Sequence, residues 1–258
     1  MSGKDYKSLD NKEVLSVSAD EILAGIAVDC VIVGFHNKTF KVLLNKFNGY
    51  DRWMVPGGFV FKDEDIDDAA YRILRVRTGL DNIYLRQFHV FGDNNRVEKE
   101  ESLASLLSNN LSIEEAENHW AFQRFIGAAY YALVDYSKAK IANTSMDESR
   151  WFDISDVPEK LYADHNKILE MGLDAIREHL NTIPVDYELL PEKFTMSELR
   201  SVYETILGRP LDRRNFQKRM LQSDYIVKLS ETKDGHKYKG ATLLHLIRKS
   251  IKMRLKRA

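Results

Sequence analysis

The segment GFVFKDEDIDDAAYRILRVRTGL, Gly58 to Leu80, passes from strand to loop to helix to stop within 23 residues. Ile66, Ala69, Ala70, Ile73 and Leu74 recur at spacings of three and four, which predicts an amphipathic helix over 65–77. Asp63, Glu64 and Asp65 place negative charge at its N-terminus, and Gly79 supplies the stop. Ahead of it, Trp53–Pro56 leads through Gly57-Gly58 into a short strand, Phe59–Phe61.

Working outward, Gly25–Phe35 (GIAVDCVIVGF) and Phe40–Leu44 are apolar and β-branched, with the turn-like His36-Asn37-Lys38 between them. They predict a hairpin within a central sheet. Downstream, Ile83–Phe91 and Phe125–Val134 are further strands, Trp151-Phe152-Asp153 a short edge strand, and His165–His179 a second amphipathic helix. Arg96 to about His119 is polar and charged and is read as an insertion. The pattern is that of a mixed α/β body packed in layers. The expected organisation is an N-terminal arm (1–20), a sensing body (21–180, insertion about 96–119), a linker (181–192) and a second domain (193–258).

That second domain is set apart by charge. From Lys193 to Ala258, 17 Lys and Arg meet 6 Asp and Glu, a net +11, whereas the preceding 192 residues carry 21 basic and 33 acidic side chains, a net −12. A basic module on an acidic body points to nucleic acid or an anionic lipid surface. Thr195 and Glu198 form a capping-box pattern before a helix that stops at Gly208. A second helix begins near Asp212, and a basic hairpin is expected from Tyr225–Leu229 and 236–242. Two helices and a charged hairpin outline a winged helix-turn-helix. Arg213, Arg214, Asn215, Gln217 and Lys218 offer long donors, suited to guanine edges (Arg), adenine edges (Asn, Gln) and phosphate (Lys). Lys218, Arg219, Lys237 and Lys239 are expected to contact phosphate.

No run approaches the roughly 18 apolar residues of a membrane helix, and MSGKDYKSLDNKE lacks the apolar run of a signal peptide. The lone Cys30 excludes an intramolecular disulfide framework and is expected to be buried in its strand. A cytoplasmic protein with no membrane partner is expected.

Gly58–Leu80 resembles the Nudix box, the signature of enzymes that hydrolyse nucleoside diphosphates linked to another group. In register, Gly58 matches the opening glycine, Glu64 the first glutamate, Arg72 the arginine, Leu74 the apolar position and Gly79-Leu80 the closing pair. Ile73, Val76 and Arg77 stand where the catalytic box has glutamates. The box presents several carboxylates to a divalent cation, which activates water and stabilises the leaving phosphate. Without them no catalytic residue, metal or cofactor is expected, and a Glu64–Arg72 pair is left to brace the loop. Asp63, Asp65, Asp67 and Asp68 are expected to face water beside the helix N-terminus.

A Nudix-like α/β/α sandwich with such a box and a basic C-terminal winged helix resembles the Nudix-related transcriptional regulators. The segments MVPGGFV, FGDNNR, AAYYALV and KFTMSELRSVYETILGRPLDRRNFQKRM carry the likeness, which is nearest to the arabinose-responsive type of Bacteroides-like bacteria. The resemblance implies a homodimer in which the Nudix domain senses a ligand and the winged helix binds double-stranded operator DNA. The effector is expected to be a sugar such as a pentose, or a nucleotide-sugar like ADP-ribose. Polar residues amid apolar strands are its candidate contacts: Asp29, Arg52, Trp53, Asp93, Arg124, Asp164 and His165, with Trp151 beside them. A buried Asp29 needs a partner, a sugar hydroxyl or a backbone amide. Two rivals remain open: a divergent hydrolase acting on ADP-ribose-like compounds, and a nucleic-acid-binding protein whose Nudix body serves only for oligomerisation.

Overall fold

The computed structural model describes residues 22–81, 83–96, 124–141, 143, 147–179, 189–223, 226–233 and 240–246. The arm 1–20, the insertion beyond Arg96, most of the linker, and Lys237 and Lys239 lie outside the described residues.

The hairpin forms as the apolar pattern predicts. Strand β1 (Ile22–His36) turns at Asn37 and Lys38, both with positive φ, into the antiparallel β2 (Thr39–Phe47). Its first half pairs instead with β3 (Gly57–Phe61), so one long strand serves two neighbours. The other edge of β1 pairs in parallel with β5 (Ile126–Val134), which pairs with β4 (Leu85–Phe91). Strand β6 (Asp147–Asp153) is longer than expected but takes the predicted edge, beside β2.

Helices cover both faces. Strand periodicity sends Val28, Cys30 and Ile32 to one side, where they pack with Ala69, Ala70, Ile73 and Leu74 of α1 (Ile66–Thr78). Burial raises the Cys30 thiol far above its ordinary pKa, which makes it an inert packing group. Val31 and Val33 face α2 (His165–His179) through Ile168, Leu169 and Ile176. Gly172 makes this contact close: a Cβ there would lie 2.8 Å from Val31 Cγ2.

The second domain starts with β7 (Lys193–Thr195), a three-residue strand without a periodic signal. Thr195 and Glu198 complete the predicted capping box on α3 (Met196–Leu207), which ends at Gly208 with φ +64°. Asp212 caps α4 (Arg213–Leu221) by accepting from Asn215 N–H at 2.8 Å. Strand β8 (Ile226–Thr232) follows, and its partner is β9 (Thr242–Leu246), later in sequence than the predicted 236–242. Apolar Leu244 is buried in the core and anchors this strand, while residues 234–239 lie outside the described residues. The three strands order as β7-β9-β8, completing a winged helix.

One hydrophobic cluster runs through both domains, from Val31 and Ile176 to Leu199, Val202, Tyr203, Phe216 and Leu244. No described helix is long and apolar enough to cross a membrane.

Candidate functional site

The box is folded as a brace. Arg72 Nε donates to Glu64 Oε1 at 2.7 Å, and its NH2 donates to Glu64 Oε2 and to Phe59 O, both at 2.8 Å. Glu64 Oε2 also accepts from Phe61 N–H, so the carboxylate is committed to holding its own loop. Ile73 is buried against Gly58, where an added Cβ would meet Ile73 Cδ1 at 3.3 Å. Val76 is half-buried. Arg77 points inward and pairs with Asp147 of β6 at 2.6 Å, both side chains nearly inaccessible. The helix turn that carries glutamates in the catalytic pattern is here apolar packing and an internal ion pair. Asp63, Asp65, Asp67 and Asp68 are exposed, and Asp67 accepts from Tyr130 OH. Among the described residues no three His, Cys, Asp or Glu are grouped to hold a metal ion.

On the opposite face, three of the predicted contacts converge. Asp29 of β1 lies near His165, the first residue of α2 (Oδ1 to Nε2, 3.9 Å), and both are buried. Their common neighbour is Arg96, which the sequence reading passed over. Its NH2 reaches Asp29 Oδ2 at 3.3 Å and Asp164 Oδ1 at 3.1 Å, and its NH1 donates to Phe91 O and Phe125 O at 3.2 Å. The partner of Asp29 is therefore a guanidinium rather than a backbone amide. Close approach requires glycine at two places. A Cβ at Gly127 would lie 2.3 Å from Arg96 NH1, and one at Gly57 would lie 2.8 Å from Asp29 Oδ1.

Protonation follows from these contacts. Burial, helped by Arg96, lowers the His165 pKa against the opposing pull of Asp29 and Asp164, and Nδ1 accepts from Val55 N–H at 2.9 Å. The imidazole is thus neutral, with its proton on Nε2. Burial opposes the charge of Arg96, but Asp29 and Asp164 outweigh it and raise its pKa. Two carboxylates and one guanidinium leave the cluster with a net charge of −1. Among the described residues Asp164 Oδ2 and Arg96 Nε are buried with no hydrogen-bond partner, an acceptor and a donor in reserve.

The other candidates are distributed around this cluster or away from it. Asp93 is exposed and pairs with Lys167 at 3.1 Å, while its carbonyl accepts from Arg96 N–H. Arg124 is exposed and donates to Gly92 O. Both stand at the rim. Trp53 is core: its ring lies 4.8 Å from that of Phe152, edge to face, under Lys46 and Arg150. Arg52 is half-buried in the same loop. Trp151 packs on Tyr136.

In the second domain, α4 buries Phe216 and Met220 and turns the remaining residues outward. Arg213, Arg214, Asn215, Lys218 and Arg219 are exposed, and Gln217 is half-buried. Among the described residues none of its four cations has an ion-pair partner, which leaves a basic helix face.

The two domains meet at named contacts. Arg177, in the last turn of α2, donates from Nε to Ile206 O of α3 at 3.2 Å. Thr205 Oγ1 lies 3.2 Å from Lys38 O at the tip of the β1–β2 hairpin.

Comparison with known proteins agrees with both halves. Residues 24–171 match the NUDIX domain, and residues 186–246 match the NrtR DNA-binding winged helix domain. The ADPR responsive transcriptional repressor NtrR of Acinetobacter baylyi is 24% identical over 214 residues, 81% of this chain and 76% of that protein. The crystal structure of Shewanella oneidensis NrtR is similar at a TM-score of 0.69 and 25% identity, covering 86% of this chain and 94% of that one. Its complex with a 27mer DNA has the same fold, with a TM-score of 0.68 and 24% identity over 88% and 95% of the two chains. These relatives support the NrtR type and lend no support to the arabinose-responsive type.

Proposed function

The chain belongs to the Nudix family, and because an NrtR-type winged helix follows its Nudix domain, we propose that it is a ligand-responsive transcriptional repressor. The Nudix domain binds the effector without hydrolysing it, and the winged helix binds double-stranded operator DNA. The protein acts in the cytoplasm as a homodimer, which presents two copies of α4 to the half-sites of a palindromic operator.

The observation that carries this reading is the placement of α2. Its first residue, His165, belongs to the buried Asp29–Arg96–Asp164 cluster, and Arg177 in its last turn holds a carbonyl of α3. Twelve residues of helix span roughly 18 Å as a stiff rod. Ligand contact with the cluster is then felt at the first helix of the winged domain. An effector shifts DNA affinity only by its differential affinity for the two arrangements, and this connection provides one.

The effector we propose is ADP-ribose or a close nucleotide-sugar. The Acinetobacter relative, described as ADPR responsive, supports that choice. The exposed cations at the rim, Arg124 and Lys167, suit the diphosphate, while the unpartnered Asp164 Oδ2 suits a sugar hydroxyl. Asp29, Asp93, Arg124, Asp164 and His165 remain the proposed effector contacts, now with Arg96; Arg52 is retained from the loop between β2 and β3. Arg213, Arg214, Asn215 and Gln217 are the proposed base-reading residues, with Lys218, Arg219, Lys237 and Lys239 on phosphate.

A thermal-shift titration with ADP-ribose, with and without magnesium and with product analysis, tests the reading. Saturation at roughly 100 times Kd adds about 2.7 kcal/mol of apparent stability. The reading requires a metal-independent shift with ADP-ribose recovered intact. Magnesium-dependent cleavage would instead establish the hydrolase.

A further inference from the structure

Two cations beside α3 stand outside the proposed DNA contacts of α4 and the hairpin that follows it. Arg209 lies in the exposed turn between α3 and α4, and Lys38 lies at the exposed tip of the β1–β2 hairpin. Among the described residues neither has an ion-pair partner. Their basic neighbours are matched, Lys41 with Asp153, Arg177 with Asp174 and Arg200 with Glu204. The 192 residues that include Lys38 carry a net −12, so that body as a whole repels a polyanion. Contact between it and a duplex requires a local free cation, and Lys38 is one.

The chain ties both positions to the start of α4. Arg209 is four residues ahead of Arg213, which keeps their Cα atoms within about 14 Å. The major groove is roughly 12 Å wide. With the first residues of α4 at base edges, the turn before them stands at the groove wall, where the phosphates are. That turn is folded back on α3: Leu211 N–H donates to Glu204 Oε1 at 2.9 Å, and Arg209 N–H donates to Glu204 O at 3.3 Å. The next residue, Thr205, borders one shallow groove together with Arg209, and its Oγ1 lies 3.2 Å from Lys38 O. Positive φ at Asn37 and Lys38 closes the hairpin tightly at this point. Arg213, Arg209 and Lys38 therefore follow one another from the winged helix onto the Nudix domain.

We propose that the DNA interface extends past the winged helix onto the Nudix hairpin, with Arg209 and Lys38 each meeting a phosphate of the duplex. The proposal rests on the repressor reading, in which α4 enters the major groove. Such contacts position the protein and carry no sequence information. They also give the sensing domain its own hold on the operator, because the hairpin touches α3 and the duplex together.

The test is the salt dependence of binding by the full chain, measured by anisotropy on a labelled duplex that this protein enriches from a random library. Lys38→Asn removes the ammonium and keeps a residue that tolerates φ of +61°. Arg209→Gln removes the guanidinium. Lys160→Gln is the control, an exposed lysine ahead of α2 at the far end of that helix from Arg177. Each of the first two variants is expected to make the plot of log affinity against log salt shallower by about 0.9 per bound protomer, with the preferred sequence unchanged. The control is expected to keep the parent slope. A parent slope in Lys38→Asn would confine the interface to the winged helix and overturn the proposal, as would an equal loss in the control. Failure of the parent protein to enrich any duplex would overturn the repressor reading itself, and this interface with it.

Discussion

Arg177 Nε donates to the carbonyl of Ile206 at 3.2 Å, joining the last turn of α2 to the last turn of α3. The carbonyls of a final helical turn have no partner within their own helix. Here a cation from the neighbouring domain satisfies one of them, at the end of the helix where positive charge is favoured. A buried apolar cluster surrounds the joint, so α3 is positioned by the Nudix domain as well as by its own sheet.

Arg177→Ala removes this bond and an exposed pair with Asp174 on the same helix. The side chain is half exposed, so the stability cost is about 1 kcal/mol, discounted for solvent. DNA affinity without effector is expected to stay within about twofold, while the response to ADP-ribose weakens by a larger factor. Fluorescence anisotropy on labelled duplex, with and without ADP-ribose, separates the two quantities. An undiminished response would show that α2 is not the connection.

Arg77→Glu restores a glutamate of the catalytic pattern and is expected to damage the protein. It breaks the buried pair with Asp147 and sets two carboxylates together at a nearly inaccessible position. Loss of a buried pair costs about 3–5 kcal/mol, and like charges add to it. Urea unfolding is expected to show a destabilisation of at least that order, with no recovery in magnesium. A variant as stable as the parent, and stabilised by magnesium, would mean the box is nearer to catalysis than its packing indicates.

His165 gives stability a defined pH slope. Its folded pKa lies below the ordinary value because of burial, so the unfolded chain takes the proton first. The stabilisation is complete above the unfolded pKa of about 6.5 and declines as pH falls from there toward the lower folded value. Protonation also removes the Nδ1 acceptor from Val55 N–H. Melting temperature should therefore fall as pH is lowered through this window. His179, also lowered by burial and by Arg86, contributes with the same sign. His165→Asn should accordingly flatten the slope without abolishing it; an unchanged slope would remove His165 from the account.

Two substitutions on α4 should differ in kind. Arg214→Ala is expected to cost about 1–3 kcal/mol on operator DNA and to relax preference at one base position. Lys218→Ala should weaken binding uniformly across sequences and reduce the salt slope by about 1. Competition binding over a salt series distinguishes them, and identical behaviour of the two would contradict the assigned roles.

Much of this architecture was legible because local and global signals agree. The alternation in GIAVDCVIVGF, the three-and-four spacing after Asp65 and the Thr195–Glu198 box each appear as the expected element. What was not legible depends on partners distant in sequence. Arg96 and Asp29 are 67 residues apart, and nothing in FGDNNR marks its arginine as buried. One signal did exist: a carboxylate inside an apolar strand demands a compensating group, and a cation answers that demand more completely than an amide. Arg77 and Asp147, 70 residues apart, were hidden in the same way. Trp53 was a candidate contact as one of the polar-tipped residues amid apolar strands. Packing against Phe152 assigns it to the core.

The central claim is that one molecule is bound, left intact and reported to the DNA. The most direct measurement is anisotropy of the full chain on operator duplex during titration with ADP-ribose in EDTA, with the nucleotide analysed at the end point. The account predicts release of DNA at saturating ADP-ribose, recovered without AMP or ribose phosphate. DNA affinity unchanged at ADP-ribose concentrations that saturate the protein would contradict it.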